Sequence, residues 1–167
     1  IDMMRAENAR GANIVAQIAL RGNGIVMAWQ GTVHPFRLKP AWIEIMELPW
    51  AEQLAHLKDP AFKTRMLTEP SVAFETDLPE LLYLVENGHF LHYEMGPEFN
   101  YEPTPEESVL ARAAAAGVSG HEYSYDLLMR DEGKGFIYFP LLNYADGNLD
   151  FLEALQVAKD TVNSLSD

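Results

Sequence analysis

Residues 135–167 restrict the possible fold more than any other part of this 167-residue chain. The aromatic run 136–139 predicts a strand, and a polar turn follows it. Apolar side chains then recur at helical spacing over 149–159, where Asn148 is placed to cap the helix start. A short apolar segment after this helix predicts a second strand, which ends at Asp167. Strand, helix and strand in this order predict an α/β fold.

Asp167 is the first candidate for a functional residue. It directly follows the predicted last strand. In parallel α/β barrels the catalytic residues lie at the carboxyl ends of strands, so an acid at this position favours a catalytic role. A solvated carboxylate is the alternative from sequence alone.

Four further segments show clear patterns. The run 12–19 is short and largely apolar, as in a strand buried on both faces of a parallel sheet. Prolines at helix-start positions predict several helices over 40–69. Aromatic content predicts a strand over 89–95, and a Thr-x-x-Glu capping box at Thr104 opens a helical region over 104–131.

A histidine and a carboxylate lie two residues apart in the predicted strand 89–95. Period-two alternation places His92 and Glu94 on one face. Imidazole and carboxylate are ordinary zinc ligands, so one hypothesis is a metal site. The other is a pair of structural polar groups with satisfied hydrogen bonds. His34 follows the strand that contains Gln17, and its alternatives are a place at a pocket mouth or a structural role in a loop.

Charge and composition exclude several classes of function. The chain has 12 basic and 25 acidic residues, with a formal net charge of −13. Nucleic acids and anionic membranes are therefore poor partners, because their binding relies on clustered Lys and Arg. The absence of cysteine excludes a disulfide scaffold and a thiol nucleophile, and it agrees with a cytoplasmic location. A complete α/β barrel needs about 250 residues, and this chain has 167. We therefore expect the chain to be an internal piece of a larger enzyme.

Several motifs resemble one enzyme family. The runs 125–128, 138–149 and 165–167 resemble the carboxyl-terminal barrel segment of the N-acyl-D-amino-acid deacylases, which are D-aminoacylase-like members of the metal-dependent amidohydrolase superfamily. The family also shows a Gln, Arg and Gly pattern before a His-Pro-Phe, here matched by Gln17, Arg21, Gly24 and 34–36. The family motif continues Gly-Gly-Ala-His after the acid that Asp167 matches.

The resemblance implies a fold and a chemistry. It implies a partial TIM barrel, roughly strands six to eight, with a helical insertion over 40–69. It implies zinc or another divalent metal that activates water to hydrolyse a C–N amide bond in a small N-acyl amino acid or related amide. Asp167 would contact the metal and shuttle a proton. The substrate-pocket candidates are Gln17, Arg21, His34 and Tyr144.

The isolated chain is expected to be inactive and to bind no metal, because the family's His-x-His ligand motif is missing from this sequence. The alternative from another class is a non-catalytic α/β domain. A barrel arc has exposed strand edges, so such a domain would self-associate into a homo-oligomer or aggregate.

Overall fold

The chain divides into two compact units. A computed structural model describes residues 2–19, 21–144, 147–158 and 161–163. Unit 1 consists of Ile1–Gly24 and Pro140–Asp167, and unit 2 consists of Ile25–Phe139. Unit 2 is therefore an insertion in the sequence of unit 1.

Two short strands of unit 1 pair in parallel. They are β1 (Ala16–Ile18) and β5 (Thr161–Asn163), aligned from the Ala16–Thr161 pair to the Ile18–Asn163 pair. β1 lies inside the predicted segment 12–19 but is shorter. Ile14 and Val15, which precede it, are 46% and 50% exposed, so the prediction of burial on both faces is wrong for them. An apolar run shows what a strand can bury, whereas burial requires neighbours that cover both faces.

The helices of unit 1 are α1 (Asp2–Ala9) and α9 (Asp150–Gln156). Asn148 was predicted to cap α9, but the N-cap position is Leu149. From one residue earlier, the Asn148 side-chain oxygen accepts a hydrogen bond from the backbone N–H of Asp150 at 3.0 Å. This bond satisfies a donor that has no partner within the helix. α9 ends before the predicted boundary at residue 159.

Unit 2 is mainly helical, and its helix starts follow local sequence signals. Asp59 accepts from the Ala61 N–H at 2.9 Å, and Ser119 accepts from the Glu122 N–H at 3.0 Å. These caps agree with the helices predicted over 40–69 and 104–131. The elements are α2 (Pro40–Ile45), α3 (Trp50–Leu57), α4 (Pro60–Thr68), α5 (Pro79–Asn87), a 3-10 helix (Pro105–Glu107), α6 (Val109–Ala116), α7 (Gly120–Leu128) and α8 (Arg130–Gly133).

The remaining strands form a three-stranded sheet. β2 (Asn23–Met27), β4 (Phe136–Leu142) and β3 (Tyr93–Met95) lie in the order β2-β4-β3, and β3 is antiparallel to β4. A barrel segment, as the resemblance implies, would make the predicted strands 89–95 and 136–139 parallel, and that expectation is wrong for this pair. Side-chain alternation predicts a strand but not the direction of its partner. The described chain is mixed α/β.

An aromatic cluster forms the core of unit 2. Trp29 stacks on Phe36 and on Trp42, each at 5.3 Å between ring centroids, and Tyr125 meets it edge-on at 5.2 Å. The Tyr125 hydroxyl donates to the Leu57 carbonyl at 2.7 Å. Offset and edge-on aromatic contacts add to the stabilisation from burial. Across the described ranges, every helix is too short or too polar to span a bilayer.

Three consecutive residues at the end of the helical region adopt left-handed backbone conformations. The φ values of Asp131, Glu132 and Gly133 are 49°, 62° and 79°. At Gly133 a Cβ would also lie 2.7 Å from the Trp50 ring, so only glycine fits there. Asp131 is exposed and carries a conformational cost that glycine does not have.

Replacing Asp131 by glycine is expected to raise the free energy of unfolding by about 0.5–1 kcal/mol, because the relief of left-handed strain exceeds the added entropy of the unfolded chain. Urea denaturation measures the change. Asp131→Ala is the matched control, since it removes the same carboxylate but keeps the Cβ. Equal stabilisation by alanine and glycine would contradict the prediction and would assign the effect to charge repulsion.

Candidate functional site

The carboxyl ends of the two parallel strands define the first candidate site, which lies in unit 1. β1 and β5 are aligned in register, so residues that follow them in the chain leave the sheet at the same edge. Arg21 follows β1 in a bend and is exposed. Asp167 lies outside the described residues. The described part of this site consists of the loop after β1 and the residues that contact it.

A second loop of unit 1 contacts the loop after β1. The Asn143 side-chain amide donates to the Arg21 carbonyl at 3.3 Å. A Cβ built on Gly22 would lie 3.2 Å from Leu149 Cδ2 and 3.9 Å from Tyr144 Cδ2, so the glycine permits this close approach. The structure thus brings together the two loops that contain the predicted pocket residues Arg21 and Tyr144. Gln17 lies within β1, with an exposed side chain.

The Arg21 guanidinium is free to bind an anion. Among the basic residues that the structure describes, eight form ion pairs with carboxylates, whereas Arg21, Arg37 and Lys134 form none. A guanidinium binds carboxylates through two parallel hydrogen bonds. The Arg21 guanidinium is therefore available to bind a carboxylate.

His34 does not occupy a pocket mouth. It belongs to unit 2 and is 1% exposed, with its ring edge-on to Trp42 at 4.6 Å and to Trp29 at 5.1 Å. Burial, and then the charge of Arg37, lower the pKa of His34 to about 3. Its Nδ1 accepts a hydrogen bond from the Phe36 N–H at 3.3 Å. This neutral imidazole is a core side chain, so the pocket prediction for His34 requires correction.

His92 and Glu94 face different partners. His92 is fully buried against Phe139, at 5.4 Å between ring centroids. The Glu94 carboxylate binds Arg112 at 2.7 Å and also binds Arg130. Two guanidinium partners occupy the oxygens that a metal would need. This geometry does not support the predicted metal site.

Within the described ranges, no three His, Asp or Glu side chains lie together in a way that could hold a metal ion. The metal that the resemblance implies therefore does not fit any group of these residues. Its ligands would have to come from residues beyond the described ones.

His89, His92 and His121 form a cluster that the sequence patterns do not predict. His89 Nε2 lies 3.3 Å from His121 Nδ1, and His89 Nδ1 lies 3.5 Å from the Ser124 hydroxyl. His92 lies 5.5 Å from His89 between ring centroids. Gly120 permits this packing, because a Cβ there would lie 2.3 Å from the His89 ring. The only sign of this cluster in the sequence is that His89 and His92 lie three residues apart.

The histidine cluster is neutral, and two of its three rings, His89 and His92, are buried while His121 is partly buried. Burial is the main cause that lowers the pKa of His89 to about 3, with the charges of His121 and His92 adding to it. Burial also lowers the pKa of His92 to about 4, and it lowers the pKa of His121 with a contribution from Lys39. A catalytic acid or base must reach its substrate, but His89, His92 and Ser124 are all buried. The cluster therefore serves packing.

Comparison of the chain with protein-family models, curated proteins and solved structures finds no match.

Proposed function

We propose that this chain is part of a metal-dependent amidohydrolase that resembles the N-acyl-D-amino-acid deacylases and hydrolyses a C–N amide bond. The parallel pairing of β1 with β5 is the structural observation that supports the proposal best. It joins the segment that carries Gln17 and Arg21 to the segment that leads to Asp167. Both segments carry residues that the resemblance predicts in the site.

The same pairing favours a specific arrangement of the fold. We assign β1 and β5 to neighbouring strands of a TIM barrel and unit 2 to the insertion between them. Parallel strands need a long crossover connection, which the intervening chain supplies. The antiparallel strands β3 and β4 are then not consecutive parallel strands of the barrel.

The proposed roles follow from chemistry and from the resemblance. Arg21 would bind the substrate carboxylate, and Tyr144 and Gln17 would border the pocket. Asp167 would transfer the proton from the attacking water to the leaving amine. The metal, zinc or another divalent ion, would be held by ligands outside the described residues, since the sequence contains no His-x-His. We further propose a cytoplasmic location for the enzyme, in agreement with the absence of cysteine.

The proposal is tested by assaying the hydrolytic activity of a longer protein that contains these residues. It is expected to hydrolyse N-acetyl-D-amino acids, to lose activity with a chelator and to regain it with zinc. A panel of D and L substrates, with release of the free amino acid as the readout, measures this. Metal content by mass spectrometry is the second readout. Failure to hydrolyse any N-acyl amino acid or cyclic amide, by a folded and metal-loaded protein, would contradict the proposal.

The alternative is a non-catalytic domain, and one observation favours it. All buried side chains of the aromatic core belong to residues 25–139, so unit 2 has a core of its own. Under this alternative, the longer protein would show no turnover and the 167-residue chain would form a defined oligomer in size-exclusion chromatography. Turnover that depends on the metal decides between the two.

A further inference from the structure

Unit 2 contains an apolar pocket that neither the amidohydrolase proposal nor the histidine cluster uses. Its volume is about 440 Å³, within the range of small-molecule sites. Apart from Thr32 and Arg37, every side chain of the lining is apolar. The apolar lining includes Val33, Leu38, Ile43, Val72, Phe74 and Leu82.

One wall of the pocket is a segment without helix or strand. Residues 69–78 connect α4 to α5, and Val72 and Phe74 of this segment are 41% and 62% exposed. The Val72 N–H donates to the Leu38 carbonyl at 2.9 Å, and the Ser71 hydroxyl donates to Glu86. The segment is thus fixed at its start, while its apolar side chains stay accessible beside the pocket.

Arg37 gives the pocket a charge without a counter-charge. It is partly buried, and no carboxylate of the described residues forms an ion pair with it. Its Nη1 donates to the Met46 sulfur at 2.8 Å, which is a weak acceptor. Arg37 also borders a second cavity, of about 310 Å³, whose lining includes Glu47.

The neighbouring cation shows how this chain compensates charge elsewhere. Lys39 lies 3.3 Å from the Glu86 carboxylate and donates to the Glu69 carbonyl at 3.0 Å. The chain has 25 acidic residues for 12 basic ones, so carboxylates are abundant. An arginine that remains unpaired against an apolar surface carries a desolvation cost, which a bound anion would offset.

We propose that this pocket binds a small carboxylic acid with an unbranched apolar tail. The carboxylate is held by the Arg37 guanidinium, and the tail lies against Val33, Ile43 and Phe74. The charge of the guanidinium selects an anion, and the apolar lining selects a hydrocarbon chain over a sugar or nucleotide. The site lies within unit 2 and does not depend on the amidohydrolase proposal, because binding is measured without turnover.

Calorimetric titration of the 167-residue chain with hexanoate, octanoate and octan-1-ol tests the proposal. Affinity for the acids is expected to rise about fourfold for each added methylene. Arg37→Gln is expected to weaken octanoate binding about 10- to 100-fold and to leave octanol binding unchanged. Lys134→Gln is the matched control, because Lys134 is also unpaired but does not line the pocket, and it should bind octanoate normally.

A second variant tests the place of the tail without removing a charge. Ile43→Trp fills the pocket and is expected to weaken octanoate more than hexanoate. Leu110→Trp, at an exposed apolar position of α6 away from the pocket, should change neither. Urea denaturation verifies that each variant is folded. No acid binding by the folded chain, or equal octanoate affinity in the chain and in folded Arg37→Gln, would overturn the proposal.

Discussion

Lowering the pH from about 7 to about 5.5 is expected to reduce the free energy of unfolding by about 3–4 kcal/mol. The cause is the set of buried neutral histidines. The pKa values of His34 and His89 are about 3 and that of His92 is about 4, whereas the ordinary value is 6.5. Over this interval the unfolded chain gains protons at these positions and the folded chain does not, so each histidine contributes about 1.3 kcal/mol.

The direction follows from proton binding. Because the folded pKa values are lowered, the unfolded state binds more protons between the two pKa values, and stability falls as the pH decreases. The stabilisation is fully present above pH 6.5 and is lost progressively toward the folded pKa values. The pKa of His121 is also lowered by burial, so it acts in the same direction. Carboxylates titrate mainly below this interval, so their ion pairs contribute little to the change.

Urea denaturation at several pH values measures this loss of stability. Two histidine variants show which imidazoles cause it. His34→Phe replaces the buried ring between two tryptophans and should reduce the pH dependence by about a third. His56→Gln is the control, because it removes an exposed imidazole where His34→Phe removes a buried one. The series stops at about pH 5.5, above the isoelectric point near 4.7, so that the chain stays negatively charged. A constant stability from pH 7 to 5.5 would contradict burial of these imidazoles.

Local sequence signals predicted the helices well. Asp59, Ser119 and Asn148 each accept a backbone hydrogen bond at a helix start, as their residue types suggest. Prolines stand at the first positions of α2 and α4. Caps and prolines act within a few residues of the chain, so the sequence is sufficient to recognise them.

Contacts between elements that are distant in the sequence could not be predicted in the same way. The antiparallel contact of β3 with β4 joins residues that α6 and α7 separate, and alternation carries no information about its direction. The contact of His89 with His121 likewise depends on how α7 packs. The sequence predicted Arg21 and Tyr144 as pocket residues through the resemblance, and their loops do meet. The resemblance also predicted His34 as a pocket residue, but His34 lies in the core of unit 2.

In a longer, active protein, Asp167→Asn is expected to lower kcat about 10²- to 10⁴-fold with little change in KM. Asparagine keeps the shape of the side chain but cannot take up or release the proton that passes from attacking water to the leaving amine. Steady-state kinetics on an N-acetyl-D-amino acid measures the effect. Metal content is determined in the same samples, so that a lost metal is distinguished from lost proton transfer.

Asp150→Asn is the matched control for this variant. Asp150 is an exposed carboxylate in the first turn of α9, in the same unit, and its replacement removes the same charge. It is expected to leave kcat and KM within about twofold, since a surface charge at a helix start contributes only about 0.3–1 kcal/mol, and this to stability. If Asp167→Asn retained full activity in a metal-loaded protein, the acid after β5 would have no catalytic role. The assignment of β1 and β5 to the rim of a hydrolytic barrel would then lose its chemical support.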